Sequence, residues 1–412
     1  MRYALHAWTL PARKWLEEGH RIRHGDRNIP FLTLASSRTH DGDDAVPIRR
    51  MMNMQRSSRS HLPHTAAVLS AALASLVVAQ ASLAQQAARA PHDLAGTGAS
   101  FSNMPEVPPI GARIAKYLDV PDAAKGPAIP AGKGYRTERL GAGLYMVTDN
   151  AYQSMFLVYE SGVVVVDAPP SYAAHIKTAI AEVTGKPITH LVYSHAHADH
   201  IGGAAMLGGR PIIVAHAETK RLLARSNDRN RPLPTVTFTD GYQLKVGSQV
   251  LELQSRRAAH QPGNLFIYAP AQKALMHVDV VYPGWMMWRR FGLAEDVPAY
   301  FDAVEAVKSY DFAKFVGGHV ARVGSREDVV VQAEFMADLK AAALKALQTV
   351  KVGAEVNPLD LGNPWAVYDT YIDRVAASCV NALTPKWKRR LAAFDVYIWD
   401  QCYAMEQSLR ID

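Results

Sequence analysis

Residues 194–203 read Ser-His-Ala-His-Ala-Asp-His-Ile-Gly-Gly, so four side chains that can bind a metal occupy six consecutive positions. They directly follow an apolar run that is typical of a buried strand. Because alternate side chains of an extended strand point the same way, His195 and His197 can hold one ion together. Where the chain then turns into a helix, Asp199 and His200 point towards a neighbouring position. Imidazole nitrogens and carboxylate oxygens are natural zinc ligands, so the stretch predicts a metal centre.

Short apolar runs rich in β-branched residues lie on both sides of this stretch and predict strands. These runs cover residues 143–147, 154–159, 162–167, 189–193, 211–215, 250–255, 265–268, 274–278 and 314–316. Apolar residues at helical spacing predict helices over 172–183, 218–225, 298–309, from 326 to about 350, and through most of 363–412. Two groups of strands with helices outside them predict an α/β protein, a four-layer αβ/βα sandwich.

The histidine stretch resembles the HxHxDH motif of the metallo-β-lactamase superfamily. The resemblance covers roughly residues 135–324 and implies a metallo-β-lactamase sandwich. The helical pattern beyond it predicts a C-terminal helical extension over 325–412. Four further positions match the superfamily pattern in chain order: Asp167 after a hydrophobic strand, His260 before Gln-Pro-Gly, Asp279 after the next strand, and His319 near the end of the domain.

The resemblance also implies a centre of two zinc ions, with iron or manganese as alternatives. The first ion would be bound by His195, His197 and His260. The second would be bound by Asp199, His200 and His319. Asp279 would bridge the two ions, and Asp167 would orient the ligand loop without binding a metal.

Such a centre implies a hydrolase in which metal-bound hydroxide attacks the carbonyl of a small-molecule ester or lactone. Asp199 would orient the hydroxide and carry its proton. Tyr282 stands three residues after Asp279, as in the N-acyl homoserine lactonase branch, where the tyrosine hydroxyl contacts the lactone carbonyl; a packing aromatic is the alternative. Asn264 after a Pro-Gly pair is similar to the class B β-lactamases instead. A β-lactamase-like amide hydrolase and an iron-dependent redox protein therefore remain alternatives.

The loop 283–291, Pro-Gly-Trp-Met-Met-Trp-Arg-Arg-Phe, directly follows the predicted metal site. Trp285, Trp288 and Arg289 could line a pocket for a hydrophobic, anionic substrate. Packing of the loop against the C-terminal helices or a partner subunit is the alternative. Aromatic residues of those helices could form a homodimer face or a lid, although aromatic residues of helices more often belong to the core. His216 and His277 are expected to be surface histidines, or at most neighbours of the site.

The N-terminal region predicts export. Residues 51–89 have the pattern of a signal peptide, with an uncharged apolar stretch at 65–79 and small residues near Ala84. This stretch is shorter than the roughly 20 residues of a spanning helix, so we expect cleavage near Ala84 and a periplasmic or secreted protein without a stable membrane anchor. Residues 1–50 are interpreted as a non-native or disordered extension, and 90–134, rich in proline, glycine and alanine, as an arm.

Charge and cysteine content add two further points. The net charge of +7 is concentrated in residues 1–89, and residues 90–412 carry 33 Lys/Arg against 32 Asp/Glu. This balance argues against a basic nucleic-acid-binding surface. The two cysteines, Cys379 and Cys402, could form a disulfide across a helical hairpin or remain two buried thiols.

Overall fold

The computed structural model describes residues 117–257, 259–352 and 362–412. The predicted N-terminal extension, the signal peptide and the first part of the arm lie outside these residues. The described part of the arm, 117–134, runs along the domain and is tied to it by side chains. Trp285 donates its indole N–H to the carbonyl of Ala124 at 2.9 Å, and Arg322 donates to the carbonyl of Ala123 at 2.6 Å.

Twelve strands within the described residues form two sheets. In spatial order, the first sheet contains β1 (Arg136–Arg139), β2 (Leu144–Thr148), β3 (Gln153–Tyr159), β4 (Gly162–Val166), β5 (Ile188–Val192), β6 (Ile212–His216) and β7 (Val236–Phe238). The second contains, in spatial order, β12 (Lys314–Val316), β11 (Ala274–His277), β10 (Leu265–Ala269), β9 (Gln249–Ser255) and β8 (Gly241–Val246). Strands β4 to β7 are parallel, as are β11 and β12, and the other pairs are antiparallel.

Helices lie between and after the strands. The α-helices are α1 (Ala173–Ala181), α2 (Ala198–Ile201), α3 (Ala217–Ser226), α4 (Val297–Lys308), α5 (Arg326–Thr349), α6 (Pro364–Trp387) and α7 (Phe394–Ile411). Short 3-10 turns occur at Asp122–Ala124, Ala204–Leu207 and Pro270–Gln272. Helix α5 begins with a capping box between Ser325 and Asp328, which fixes its start. Among the described residues, no helix combines the length and apolar character that crossing a membrane requires.

Three apolar clusters show how the layers pack. One cluster lies between the sheets, and residues such as Leu157 from β3 and Ile267 from β10 meet there. The second joins the outer face of the first sheet to α1 and α3, and the third joins the outer face of the second sheet to α4 through α7. The order helix, sheet, sheet, helix confirms the predicted four-layer αβ/βα sandwich with C-terminal helices.

A disulfide joins the last two helices. Cys379 on α6 and Cys402 on α7 are bonded, with their Cα atoms 5.9 Å apart, and both side chains are fully buried. Of the two alternatives that the sequence leaves open, the structure contains the disulfide. Its loop closes 23 residues of chain, so it limits the unfolded state more than any local contact in the hairpin.

Breaking this bond should destabilise the protein measurably. For a loop of this length, chain-entropy arguments give a loss of about 3 kcal/mol in the free energy of unfolding. The chain has no other cysteine, so dithiothreitol acts on this bond alone. Urea unfolding of the wild type with and without reductant, and of Cys402→Ser, measures the loss. Equal unfolding midpoints in all three samples would contradict the prediction.

Candidate metal centre

The functional side chains follow the carboxyl ends of neighbouring strands. Asp167 follows β4, and the histidine stretch follows β5, which is parallel to β4. Asp279 and His319 lie beyond β11 and β12, which also run parallel to each other. Carboxyl ends of adjacent parallel strands meet at one sheet edge, so each sheet brings its polar residues to a common edge. His260 reaches the same place from the connection between β9 and β10.

The structure brings the seven predicted ligands together. They form the groups His195, His197, His260, Asp279 and Asp199, His200, His319, and within each group the donor atoms lie within 4.8 Å of one another. Asp279 is central: its carboxylate lies 2.9 Å from His319 Nε2 and 3.1 Å from both His200 Nε2 and His260 Nε2. A carboxylate that contacts ligands of both groups has the position expected of a bridging residue.

Ring nitrogens of different histidines also approach each other closely. His197 Nδ1 lies 2.9 Å from His260 Nε2, and His200 Nε2 lies 3.1 Å from the Nε2 atom of His319. In neutral imidazoles each ring has one N–H and one lone pair, so one hydrogen bond per contact is the most that these pairs can form. A cation bound between the rings would accept the lone pairs that these hydrogen bonds leave unused. Imidazole nitrogen and carboxylate oxygen are ligands that suit a divalent transition metal.

Protonation of most of these side chains also fits a cation. Burial, together with the neighbouring histidines, holds the pKa of His195 well below its usual value, and burial lowers the pKa of His197 to about 4. Both rings are therefore neutral at pH 7, the form that binds metals. Burial opposes ionisation of Asp279, but the charges of His200 and His319 outweigh it and keep its pKa well below 3.8.

His200 is the exception among the ligands. Burial disfavours its protonation, yet the charge and hydrogen bond of Asp279, with help from Asp199, raise its pKa to about 9. A metal ion at this group must therefore displace a proton from His200, which makes binding weaker at lower pH. Taken together, the seven side chains form a His/Asp site that fits divalent metal ions.

Two carboxylates of the site have left-handed backbone. The φ angles are 61° at Asp167 and 64° at Asp279, a region that residues other than glycine rarely adopt. Asp167 is fully buried, and its Oδ1 accepts a hydrogen bond from the backbone N–H of Ser194 at 2.8 Å. Burial raises the pKa of Asp167 to about 6. These contacts match the expected role of holding the ligand loop.

Several polar residues that support the ligands are not predicted by the sequence. Ala196 lies between the first two histidines; its backbone N–H donates to Gln261 Oε1 at 2.9 Å, and its carbonyl accepts from Arg231 at 2.7 Å. Ser194 Oγ lies 2.9 Å from His195 Nδ1. These three contacts therefore fix the backbone between His195 and His197 and the ring of His195.

Buried glutamines hold two other loops of the site. Gln153 Nε2 donates to the carbonyls of Val320 and Arg322, and its Oε1 accepts from Gly317, so it fixes the loop of His319. Gln332 accepts from the backbone N–H of Tyr282 at 2.9 Å and donates to a carbonyl of the same loop. Nothing in their local sequence distinguishes them from surface glutamines.

Two tyrosines flank His319. The Tyr282 hydroxyl lies 3.4 Å from Asp279 Oδ1, and its ring centre is 5.9 Å from that of His319. The ring of Tyr152, which the sequence does not single out, lies 4.7 Å from His319 and 5.7 Å from His200. Tyr282 is almost wholly buried, whereas Tyr152 is partly open to solvent.

The aromatic loop contacts the C-terminal helix, as the second interpretation of it proposed. The indole of Trp285 bonds to the arm, Trp288 is 43% exposed, and Arg289 forms an ion pair with Asp400 of α7 at 2.6 Å. Within the described part of the chain, these three side chains contact the arm, solvent and α7 instead of the metal ligands. The pocket role predicted for them therefore has no support from their contacts.

The expectation of surface positions for His216 and His277 is wrong. His216 caps α3: its Nδ1 accepts from Glu218 N, while its Nε2 lies 2.6 Å from the carbonyl of Thr239. His277 is buried, and its ring stacks on Phe266 with centres 3.8 Å apart. Both lie at strand ends, where neighbouring elements cover them.

Comparison with known proteins identifies the family to which the metal-binding domain belongs. Residues 148–343 match the model of the Metallo-beta-lactamase superfamily. The 2,4-dinitroanisole O-demethylase subunit alpha of Nocardioides sp. (strain JS1661) is 24% identical over 231 residues, which cover 54% of this chain and 67% of that protein. A solved metallo-beta-lactamase from Pontibacter korlensis is 18% identical with a TM-score of 0.44, and the match covers 49% of this chain and 99% of that one. Residues 148–343, which include all seven clustered ligands, therefore form a domain of the metallo-β-lactamase superfamily.

Proposed function

We propose that the protein is a metal-dependent hydrolase that opens a small-molecule ester or lactone. The observation that carries the proposal is the position of Asp279, whose carboxylate lies within 3.1 Å of histidines from both ligand groups. The two ligand groups would hold one ion each, an arrangement that serves hydrolytic displacement. Zinc suits these donors best, with iron or manganese as alternatives.

The bound ions would supply Lewis acidity, which lowers the pKa of water and polarises the carbonyl group of the substrate. Asp199 is proposed to accept the proton of the attacking water. Its side chain is 44% exposed and lies 3.5 Å from His200 Nε2 and 3.8 Å from His319 Nε2. A carboxylate at the open side of the centre can accept a proton from water and pass it to the leaving group.

Tyr282 is proposed to orient the substrate carbonyl. Burial and the charge of Asp279 hold the pKa of Tyr282 well above its usual value, so the phenol keeps its proton at neutral pH. A protonated phenol 3.4 Å from Asp279 Oδ1 can donate to an oxygen that binds beside this carboxylate.

Replacing Tyr282 tests this role. We expect Tyr282→Phe to lower kcat/KM by about 100-fold, the lower end of the range for loss of one positioned donor, while the bound metal stays unchanged. Tyr268→Phe is the matched control, because the hydroxyl of Tyr268 bonds only to the carbonyl of Asp311 away from the site. Steady-state kinetics with metal analysis of each variant gives the result. An unchanged kcat/KM in Tyr282→Phe would make this residue a packing aromatic.

The Nocardioides relative favours a second candidate function. That protein is named as an O-demethylase of 2,4-dinitroanisole, an activated aryl ether. Attack by activated water on an electron-poor substrate would use the same donors, so an aryl ether is a reasonable alternative substrate. The amide bond of β-lactams and iron-dependent redox chemistry are the remaining alternatives.

A substrate panel separates these candidates. Purified protein, with its metal content determined, would be assayed on aryl esters, lactones, β-lactams and 2,4-dinitroanisole. We expect the wild type to hydrolyse an ester or lactone. EDTA should abolish this activity, added zinc should restore it, and His195→Ala should lack it. Turnover confined to 2,4-dinitroanisole or to β-lactams would replace the proposal with that alternative.

We also propose that the protein acts in the periplasm or outside the cell. The signal-like pattern of residues 51–89 and the disulfide between Cys379 and Cys402 support this, because disulfides persist in oxidising compartments. Cell fractionation of the full-length protein, with the N-terminus of the product sequenced, tests it. Full-length protein retained in the cytoplasm would refute it.

A further inference from the structure

An unusual backbone segment lies beside the metal centre. Arg290, Phe291, Gly292 and Leu293 have φ angles of 50°, 55°, 67° and 61°, so four consecutive residues adopt left-handed conformation. We name this segment, residues 289–293, the left-handed turn. Residues other than glycine enter this region singly and at an energetic cost, so a run of four requires contacts that hold it.

The left-handed turn touches residues of the proposed site. A Cβ atom at Gly292 would stand 2.7 Å from the Tyr282 hydroxyl, 3.2 Å from the carbonyl of Asp279 and 3.7 Å from His260 Nδ1. Glycine at this position therefore allows the turn to lie directly against the ligand His260, the backbone of Asp279 and the proposed carbonyl donor Tyr282. The turn is a wall of the centre.

Helix α7 binds this segment of the chain through the buried side-chain amide of Gln401. Gln401 is fully buried; its Oε1 accepts from the N–H of Phe291 at 2.9 Å, and its Nε2 donates to the carbonyls of Met287 and Trp288 at 2.8 Å each. Three hydrogen bonds satisfy both ends of this amide. A buried amide with all its hydrogen bonds made fixes the path of the chain through residues 287–291, the second half of the aromatic loop.

Neighbours of Gln401 on α7 add to the attachment. Asp400 pairs with Arg289 at 2.6 Å, and the guanidinium of Arg290 lies 5.6 Å from the ring centre of Tyr403. Cys402, the next residue after Gln401, anchors α7 to α6 through the disulfide. The helix that contacts the left-handed turn is therefore itself fixed by a covalent bond.

We infer that Gln401 is a positioning residue of the active site, which acts by holding the left-handed turn against Tyr282 and His260. Gln401 lies outside residues 148–343, so the inference assigns an active-site task to the C-terminal helices that the superfamily match does not cover. It deepens the proposed function and rests on that function for its effect on catalysis.

The test replaces Gln401 by methionine, which keeps the length of the side chain and removes all three hydrogen bonds. In Gln401→Met we expect the amides of residues 287–293 to exchange hydrogen at least about tenfold faster. We expect the visible spectrum of the cobalt-loaded protein to change, because His260 loses its wall, and KM to rise more than kcat falls. Gln272→Met is the matched control, since Gln272 is also buried and bonds to Ala142 and Gln249 away from the centre.

Hydrogen exchange and the cobalt spectrum of these variants test the role of Gln401. Unchanged exchange and cobalt spectrum in Gln401→Met, or equal changes in Gln272→Met, would overturn it. If Gln401→Met does not fold, Asp400→Asn removes only the partly exposed ion pair with Arg289. This variant should speed exchange of the same segment to a smaller extent, and unchanged exchange would refute the inference. If exchange and spectrum respond as expected while the wild type hydrolyses nothing in the panel, the positioning role stands and the proposed function fails.

Discussion

Asp279→Asn is expected to lower kcat/KM by about 1000-fold or more and to reduce the amount of bound metal. The carboxylate is nearly buried and contacts histidines of both ligand groups, so the amide leaves their shared centre without its negative charge. Loss of one preorganised hydrogen-bond donor in an enzyme site costs about 10²–10³-fold, and a group shared by two ions should cost at least as much.

Metal analysis and kinetics on the same preparations measure this effect. Asp311→Asn is the matched control, because the side chain of Asp311 lies in an exposed ion pair with Lys273, and this variant should behave like the wild type. Asparagine retains the shape of the side chain and tolerates left-handed backbone, which separates loss of charge from loss of fold. Full metal content and wild-type turnover in Asp279→Asn would remove this residue from the centre.

Asp167→Ala is expected to lower the free energy of unfolding by about 2–5 kcal/mol and to impair metal binding. The substitution leaves the buried N–H of Ser194 without its acceptor, which costs about 1–3 kcal/mol. It also places alanine at a φ of 61°, where a residue lacking a local polar contact is strained by about 1–2 kcal/mol.

Asp167→Asn provides the comparison for this prediction. Its amide oxygen can still accept from Ser194, and asparagine enters the left-handed region readily, so most of the stability should return. Urea unfolding and zinc affinity of the two variants would be measured side by side. If both variants matched the wild type in stability, the buried carboxylate would have no part in holding the histidine loop.

Most of the fold follows from apolar patterning, and the strands that the sequence misses share one property. β1, β7 and β8 each lie at the edge of a sheet. Edge strands are covered on fewer sides and carry polar residues, as in β8, which alternates exposed and buried positions, so their apolar signal is weak. The interior run Gly162–Val166 is buried along its whole length, which is why four consecutive valines predict it clearly.

The site divides in the same way. The positions of the seven ligands could be inferred from the sequence because metal chemistry restricts residue type and the superfamily pattern fixes order. Gln401 could not be inferred, because its partner Phe291 lies 110 positions away and a buried glutamine has no sequence signature. Tyr152 escapes notice for the same reason: only the fold places it beside His319.

The ligands of the centre come from loops of both sheets, with His195 beyond β5 of the first and His319 beyond β12 of the second. Ions held there would clamp the two halves of the sandwich, and they would bind the folded chain in preference to the unfolded one. The melting temperature should then climb with free ion concentration, by the equivalent of about 2.7 kcal/mol at one hundred times the dissociation constant. Thermal melts across a series of metal salts would thus rank zinc, iron and manganese before any substrate is known.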